Sequence, residues 1–213
     1  MKKIIEGIRR EYSNGGLRRS SLPDHPVTLM KEWLEEAIEK GITDPNAMII
    51  STVSDQQKPS SRTVLMKDID KTGLVFYTNY DSRKAREISN NPNIAALFLW
   101  AGLERQVRIE GVIEMMDKKA SDEYFASRPR ESQIAAWASP QSQEISSREE
   151  LEKRYREFEQ SFRDKAIPRP SNWGGYKIIP GYFEFWQGRA GRLNDRVVYR
   201  EKNEKWSQSR LAP

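Results

Sequence analysis

Residues 47–79 read AMIISTVSDQQKPSSRTVLMKDIDKTGLVFYTN. Three runs rich in β-formers, 47–54, 60–67 and 74–79, alternate with the turn-forming stretches SDQQKP and DIDKTG, the pattern of a meander of antiparallel strands. Further on, NIAALFLW (93–100) and RQVRIEGVIEMM (105–116) repeat the signal across a tight AGLE connection, and YKIIP, YFEFWQ, DRVVYR and KWSQSR carry it to the C-terminus. Helical spacing is confined to a few places. In VTLMKEWLEEAIEKG, Val27, Met30, Trp33, Leu34, Ala37 and Ile38 form one apolar face, with Thr28 or Asp24 as the cap and Gly41 as the stop. SRKAREISNN (82–91) predicts a short helix, and 117–164 predicts two or three more, the last opening with Ser146 and Glu149 in capping-box spacing. Roughly eight short strands with inserted helices predict an α+β, mainly β architecture, a barrel or roll with peripheral helices rather than a doubly wound sheet. We expect a polar arm over 1–26 and a single domain over 27–213, since 213 residues correspond to about 1.4 domains.

Composition narrows the chemistry. With 36 Lys+Arg against 31 Asp+Glu, the net charge is +5, compatible with nucleic acid, anionic membrane or phosphorylated small molecules as partners. The excess is distributed, which weakens the nucleic-acid reading, and Phe183, Phe185 and Trp186 read as core strand residues before they read as base-stacking platforms. There is no cysteine, hence no thiolate chemistry and no disulfide framework. The single histidine, His25, sits in LPDHPV, where a Ser-His-Asp triad or histidine metal cluster would rest on one loop residue; it reads as a loop residue. The charged N-terminus MKKIIEGIRREY lacks the pattern of a secretion signal and no long apolar run occurs, so a cytoplasmic protein without a membrane partner is expected.

Two sets of residues point to phosphate. In NYDSRKAREI, Ser82 is a plausible N-cap and puts Arg83 and Lys84 in the first helical turn. Cations there oppose the helix dipole unless an anion joins them. In DEYFASRPRESQIAAW, Tyr124, Arg128 and Ser132 are spaced four apart, a helical stripe of hydroxyl, guanidinium and hydroxyl suited to a phosphate monoester, although Pro129 interrupts it. Arg62 and Lys67 bracket a strand and, by alternation, point to opposite faces. Neither a Walker-type loop nor a G-x-G-x-x-G fingerprint is present, so two phosphates held in other ways, one of a cofactor and one of a substrate, are indicated.

RTVLMK (62–67), FYTNYDSRKA (76–85), LERQVRIEG (103–111), YFASRPRESQIAAWAS (124–139), FWQG (185–188), RLNDR (192–196) and the terminal RLAP together resemble the pyridoxine 5′-phosphate oxidase family, from about Arg9 to Pro213. The resemblance implies an FMN-binding split β-barrel and a homodimer with two active sites at the subunit interface. It also implies oxidation of pyridoxine 5′-phosphate or pyridoxamine 5′-phosphate to pyridoxal 5′-phosphate, with O2 as the final acceptor. It maps flavin contacts onto Arg62, Thr63, Val64, Leu65, Met66, Lys67, Tyr77, Thr78, Arg83, Lys84, Gln106, Gln141, Ser142, Trp186 and Arg196. Substrate contacts map onto Lys67, Tyr124, Arg128, Ser132, Arg192, Leu193 and Asn194, and RREY (Arg9, Arg10, Glu11, Tyr12) resembles a segment that covers the substrate. Arg192 and Asn194 are the residues expected nearest the chemistry. Where the family commonly has histidine, this chain has Asn194, which hydrogen-bonds but carries no titrating proton. A flavin-binding split-barrel protein with weak or no oxidase activity, a reductase or a pyridoxal phosphate binder, is the alternative reading.

Overall fold

The computed structural model describes residues 11–12, 15–18, 20 and 22–213. Strands β1 (Ala47–Val53), β2 (Pro59–Leu65), β3 (Asp68–Asp70) and β4 (Gly73–Asn79) form the expected meander, followed by β5 (Asn93–Trp100), β6 (Arg105–Met115), β7 (Trp173–Gln187), β8 (Asp195–Lys202) and β9 (Lys205–Leu211). All nine belong to one antiparallel sheet in the order β2-β1-β5-β6-β7-β4-β3, with β8 joining β7 and β9 joining β8. The helices are α1 (Pro26–Glu39), α2 (Arg83–Asn90), α3 (Lys118–Ser127), α4 (Arg130–Ala138) and α5 (Arg148–Ser161). This is an α+β, mainly β split barrel with its helices at the periphery. No helix among the described residues is long and apolar enough to cross a membrane.

The two strands expected at YKIIP and YFEFWQ are one 15-residue strand, β7. It pairs with β6 along nearly its whole length, while its other edge serves β4 over 173–178 and β8 over 182–187. The change of partner falls at Pro180-Gly181, where Gly181 is the extra residue as the register passes from Glu110↔Tyr182 to Gly111↔Pro180. Proline offers no ladder donor and a bulge deepens the twist, so sequence punctuation that reads as a strand end is instead the fork of the sheet. Opposite it, Gly111 lies so close to the Ile179 carbonyl that a side chain would collide.

The core lies inside the curled sheet and under α1. Met30, Trp33 and Ala37 pack with Phe76, Phe98, Val107, Ile109, Phe183, Phe185 and Tyr199. Phe183 and Phe185 are fully buried and are therefore unavailable as a stacking platform. On α1, Leu29 is buried while Ile38 is 57% exposed, a rotation of the predicted face. Its cap is His25, not Thr28 or Asp24: the imidazole Nδ1 accepts the Val27 N–H at 3.2 Å. Burial and the cation Lys71 lower the His25 pKa, which preserves the neutral, accepting ring. At α5 the cap is likewise one residue on: Ser147 accepts from the Glu150 N–H, and Glu150 reaches back to Ser146. A satellite cluster of Phe125, Ile134, Ile167 and Trp173 gathers α3, α4 and β7 beside the main core.

Candidate functional site

A cleft of about 500 Å³ opens where β2, β4, α2 and the α3–α4 corner converge. Its floor is Thr63, Val64 and Leu65 of β2 with Lys67 just beyond. Tyr77 and Thr78 of β4 and Lys84 of α2 form one wall, Tyr124, Arg128 and Ser132 another, and Gln141 and Trp173 complete it. Lys67, two residues beyond the end of β2, lines the cleft, whereas Arg62 is not among its lining residues and donates to Thr52 and Ser60 beside Lys84.

Lys84 is a buried cation, 9% exposed, whose Nζ donates to Gln141 Oε1 at 2.9 Å, Thr78 Oγ1 at 3.0 Å and Ser82 Oγ at 3.4 Å. All three partners are neutral. Burial, and then the nearby Arg62 cation, push its pKa down to about 8. Ser82 caps α2 by accepting from the Ala85 N–H, so the expected first turn with its two cations is present.

Arg83 and Arg62 meet at one carboxylate. Glu87 is 5% exposed and accepts from Ser60 Oγ at 2.7 Å, Arg83 Nε at 2.8 Å, Arg62 Nη2 at 3.4 Å and the Thr52 hydroxyl. Burial alone would raise its pKa; the hydrogen bonds from Thr52, Ser60 and Arg83 and the Arg83 charge outweigh that and lower it to about 2. Sequence reading missed Glu87 because Arg83 and Glu87 at i,i+4 look like any surface pair.

Tyr124, Arg128 and Ser132 all line the cleft, but not as one helical stripe. Helix α3 ends at Ser127 with Arg128 as its C-cap, Pro129 turns the chain, and α4 restarts at Arg130. A corner therefore gathers the three groups. The Arg128 guanidinium lies 4.6 Å from the Trp173 ring centroid and 5.6 Å from that of Phe125, and its buried Nη1 has no hydrogen-bond partner. Burial lowers its pKa. Among the described residues, neither Lys84 nor Arg128 is in an ion pair, so one cleft holds a buried lysine and a half-buried arginine without countercharge. Buried charges are normally paired, so the arrangement is suited to anionic ligands.

Trp173, Ser127 and Pro129 also line the cleft without having been anticipated. The signal was NWGG: Gly174 and Gly175 leave room for Tyr80 and Tyr77, whose rings would collide with added side chains.

The remaining expected residues lie elsewhere. Gln106, Trp186 and Arg196 are register partners across β6, β7 and β8 and form one row. Arg196 Nε donates to Glu184 Oε1 at 2.7 Å, and Arg108 reaches the same buried carboxylate at 3.0 Å. Beside the row, the loop after β7 puts Arg192 and Leu193 in solvent, with Arg192 in the left-handed region at φ +60°. Asn194 Oδ1 accepts the Arg189 N–H at 3.0 Å, while Asp195 binds Arg189, Arg210 and the Leu17 N–H. The Tyr12 ring meets Trp186 edge-on at 5.5 Å, and Glu11 is exposed. Met66 is buried in the core, and Ser142, at φ +68°, is exposed. Arg9 and Arg10 lie outside the described residues. The expected site is thus divided between a cleft and a separate sheet surface.

Residues 34–162 match the family model described as pyridoxamine 5′-phosphate oxidase, and 173–213 match one described as the pyridoxine 5′-phosphate oxidase C-terminal dimerisation region. The pyridoxine/pyridoxamine 5′-phosphate oxidase of Rubrobacter xylanophilus is 48% identical, over 100% of this chain and 98% of its own length. The crystal structure of PhzG from Burkholderia lata, in complex with tetrahydrophenazine-1-carboxylic acid, matches with a TM-score of 0.90 at 28% identity, covering 96% of this chain and 100% of that one. A pyridoxamine 5′-phosphate oxidase-related, FMN-binding protein from Nostoc punctiforme shares the fold, with a TM-score of 0.71 at 15% identity over 93% of this chain and 100% of that one.

Proposed function

The chain belongs to the pyridoxamine 5′-phosphate oxidase family and is a flavin-dependent oxidoreductase that converts pyridoxine 5′-phosphate or pyridoxamine 5′-phosphate to pyridoxal 5′-phosphate; we propose that its flavin is FMN, bound in the cleft of Lys84 and Arg128. The observation that carries the proposal is the pair of cations without countercharge, buried Lys84 for the cofactor's phosphate and half-buried Arg128, with its unpartnered Nη1, for the substrate's. The donor set fits FMN. Lys84, Thr78 and Gln141, with Arg62 and Arg83 beside them, supply charge and hydrogen bonds for a phosphate, and Thr63 to Lys67 give an extended edge along which a flat ring can lie. Tyr124, Arg128, Ser132 and Lys67 take the substrate phosphate.

FMN, when bound, supplies the two-electron chemistry, taking a hydride equivalent from C4′ and passing electrons to O2 to give hydrogen peroxide, with water releasing ammonia from the amine substrate. The residues of the chain hold and orient. Its one histidine caps a helix, so positioning and electrostatics rather than proton abstraction by a histidine fall to the protein. The row of Gln106, Trp186 and Arg196, with Ser142 and the loop residues Arg192, Leu193 and Asn194, is the half-site we assign to the second subunit of a homodimer. The dimerisation region at 173–213 supports this. Arg9 to Tyr12 act as a cover, an assignment supported by the contact of Tyr12 with Trp186, and a cytoplasmic location suits the substrates.

Two results are expected. FMN binding to flavin-free protein, followed by fluorescence quenching, should be level below pH 8 and weaken by up to tenfold per pH unit above it, because only protonated Lys84 meets the phosphate. Riboflavin, which has no phosphate, should show no such fall; an identical profile for both would remove Lys84 from the phosphate site. Asn194→His should raise kcat/KM for pyridoxine 5′-phosphate, since a neutral imidazole can accept the Arg189 N–H through one ring nitrogen while the other donates to the substrate. An unchanged or lower value argues against substrate contact at 194.

A further inference from the structure

Tyr77, Tyr124 and Trp173 form a near-parallel set of rings: Tyr77 and Tyr124 stack at 3.8 Å and 16°, and Trp173 lies 5.5 Å from Tyr77 at 10° and 6.2 Å from Tyr124 at 5°. Trp173 is 7% exposed, and the edge of Phe125 braces it at 5.1 Å. The Arg128 guanidinium lies over the Trp173 ring, 4.6 Å from its centroid. Three other partly buried arginines are fixed by carboxylates: Arg62 by Glu87, Arg105 by Glu36 and Arg169 by Asp122. A carboxylate would occupy the guanidinium donors and cancel the charge. The face of an aromatic ring fixes a cation through its quadrupole and leaves the N–H groups free; at Arg128 one buried N–H is indeed unengaged.

We infer that Trp173 is a positioning residue for substrate recognition: its ring holds the Arg128 guanidinium in place, still charged and with its donors free, so that it can fork onto the phosphate of the substrate. This rests on the assignment of Arg128 to that phosphate. The tyrosine at 124, held in the same set of rings, is oriented with it, which links the two phosphate ligands through one buried indole.

The test is a double-mutant cycle read by calorimetric titration of the flavin-loaded dimer with 4′-deoxypyridoxine 5′-phosphate, which lacks the group to be oxidised, and with its dephosphorylated form. Trp173→Leu should weaken binding of the phosphate ester about 10- to 30-fold and leave the dephosphorylated form within about twofold. In an Arg128→Met background the same substitution should add less than about twofold, since interacting residues are not additive. Trp173→Phe, which keeps a ring, should recover much of the loss and guards against a folding defect in the leucine variant. Additive losses, or equal weakening of both ligands, would overturn the role of Trp173. If Arg128→Met alone leaves binding of the phosphate ester unchanged, the phosphate assignment itself fails instead.

Discussion

Arg128→Ala should raise KM for pyridoxine 5′-phosphate by about 100-fold or more while the flavin stays bound. A guanidinium forking onto a phosphate makes two charge-assisted hydrogen bonds, each worth about 1.5–3 kcal/mol, and every 1.4 kcal/mol is tenfold. Nothing in the free protein competes for those donors, because Arg128 is in no ion pair among the described residues and its Nη1 has no partner. Arg128→Lys should restore the charge but not the planar fork or its seat on Trp173, leaving a deficit of about tenfold. Stability should move the other way: the alanine variant removes a buried, unsatisfied donor and should melt no lower than the parent. A KM within threefold of the parent would mean that the phosphate lies elsewhere.

The largest effect on stability is expected at Glu87. Glu87→Gln removes the charge that two guanidiniums and two hydroxyls share and should cost about 1–3 kcal/mol, the range for leaving buried hydrogen-bonding groups without their charged partner, since Arg83 itself is largely in solvent. The carboxyl titrates near 4.5 in the unfolded chain and at about 2 in the fold. The unfolded state therefore binds more protons between those values, and the stabilisation is complete above about pH 5 and lost as pH falls toward 2. Urea midpoints measured across that range should converge for parent and variant in acid and diverge toward neutrality. A constant gap at all pH values would show that Glu87 acts by packing rather than by charge.

Much of the fold was legible because β-strands announce themselves through short apolar runs and turn residues: NIAALFLW became β5 residue for residue. The fork of the sheet was not, since Pro180-Gly181 signals a break in pairing but not that the strand continues to a new partner on its far edge. Two caps fall one to three residues from the expected ones for a similar reason: a short polar side chain near a helix start can cap from several positions, and His25 does so through a ring nitrogen. At the site, Lys84, Arg128, Tyr124 and Ser132 were readable as cation and hydroxyl spacings, and the cleft brings them together even though Pro129 turns the stripe into a corner. The roles of Trp173 and Glu87 were not readable, although NWGG marks a close approach beside Trp173. Each acts through partners distant in sequence, Trp173 under Arg128 and Glu87 against Thr52 and Ser60, and spacing along one helix or one turn says nothing of what packs over it.

The reaction proposed for this protein is oxidation of a phosphorylated pyridine at C4′ by a flavin held in the cleft. Its most direct test is to add pyridoxine 5′-phosphate to the purified protein under air and follow pyridoxal 5′-phosphate and hydrogen peroxide together. Equimolar formation of the two, supported by the parent and reduced by about 100-fold at low substrate in Arg128→Ala, is the result expected. A yellow protein that binds the substrate yet releases neither product would contradict the account and leave a flavin-binding relative without oxidase activity.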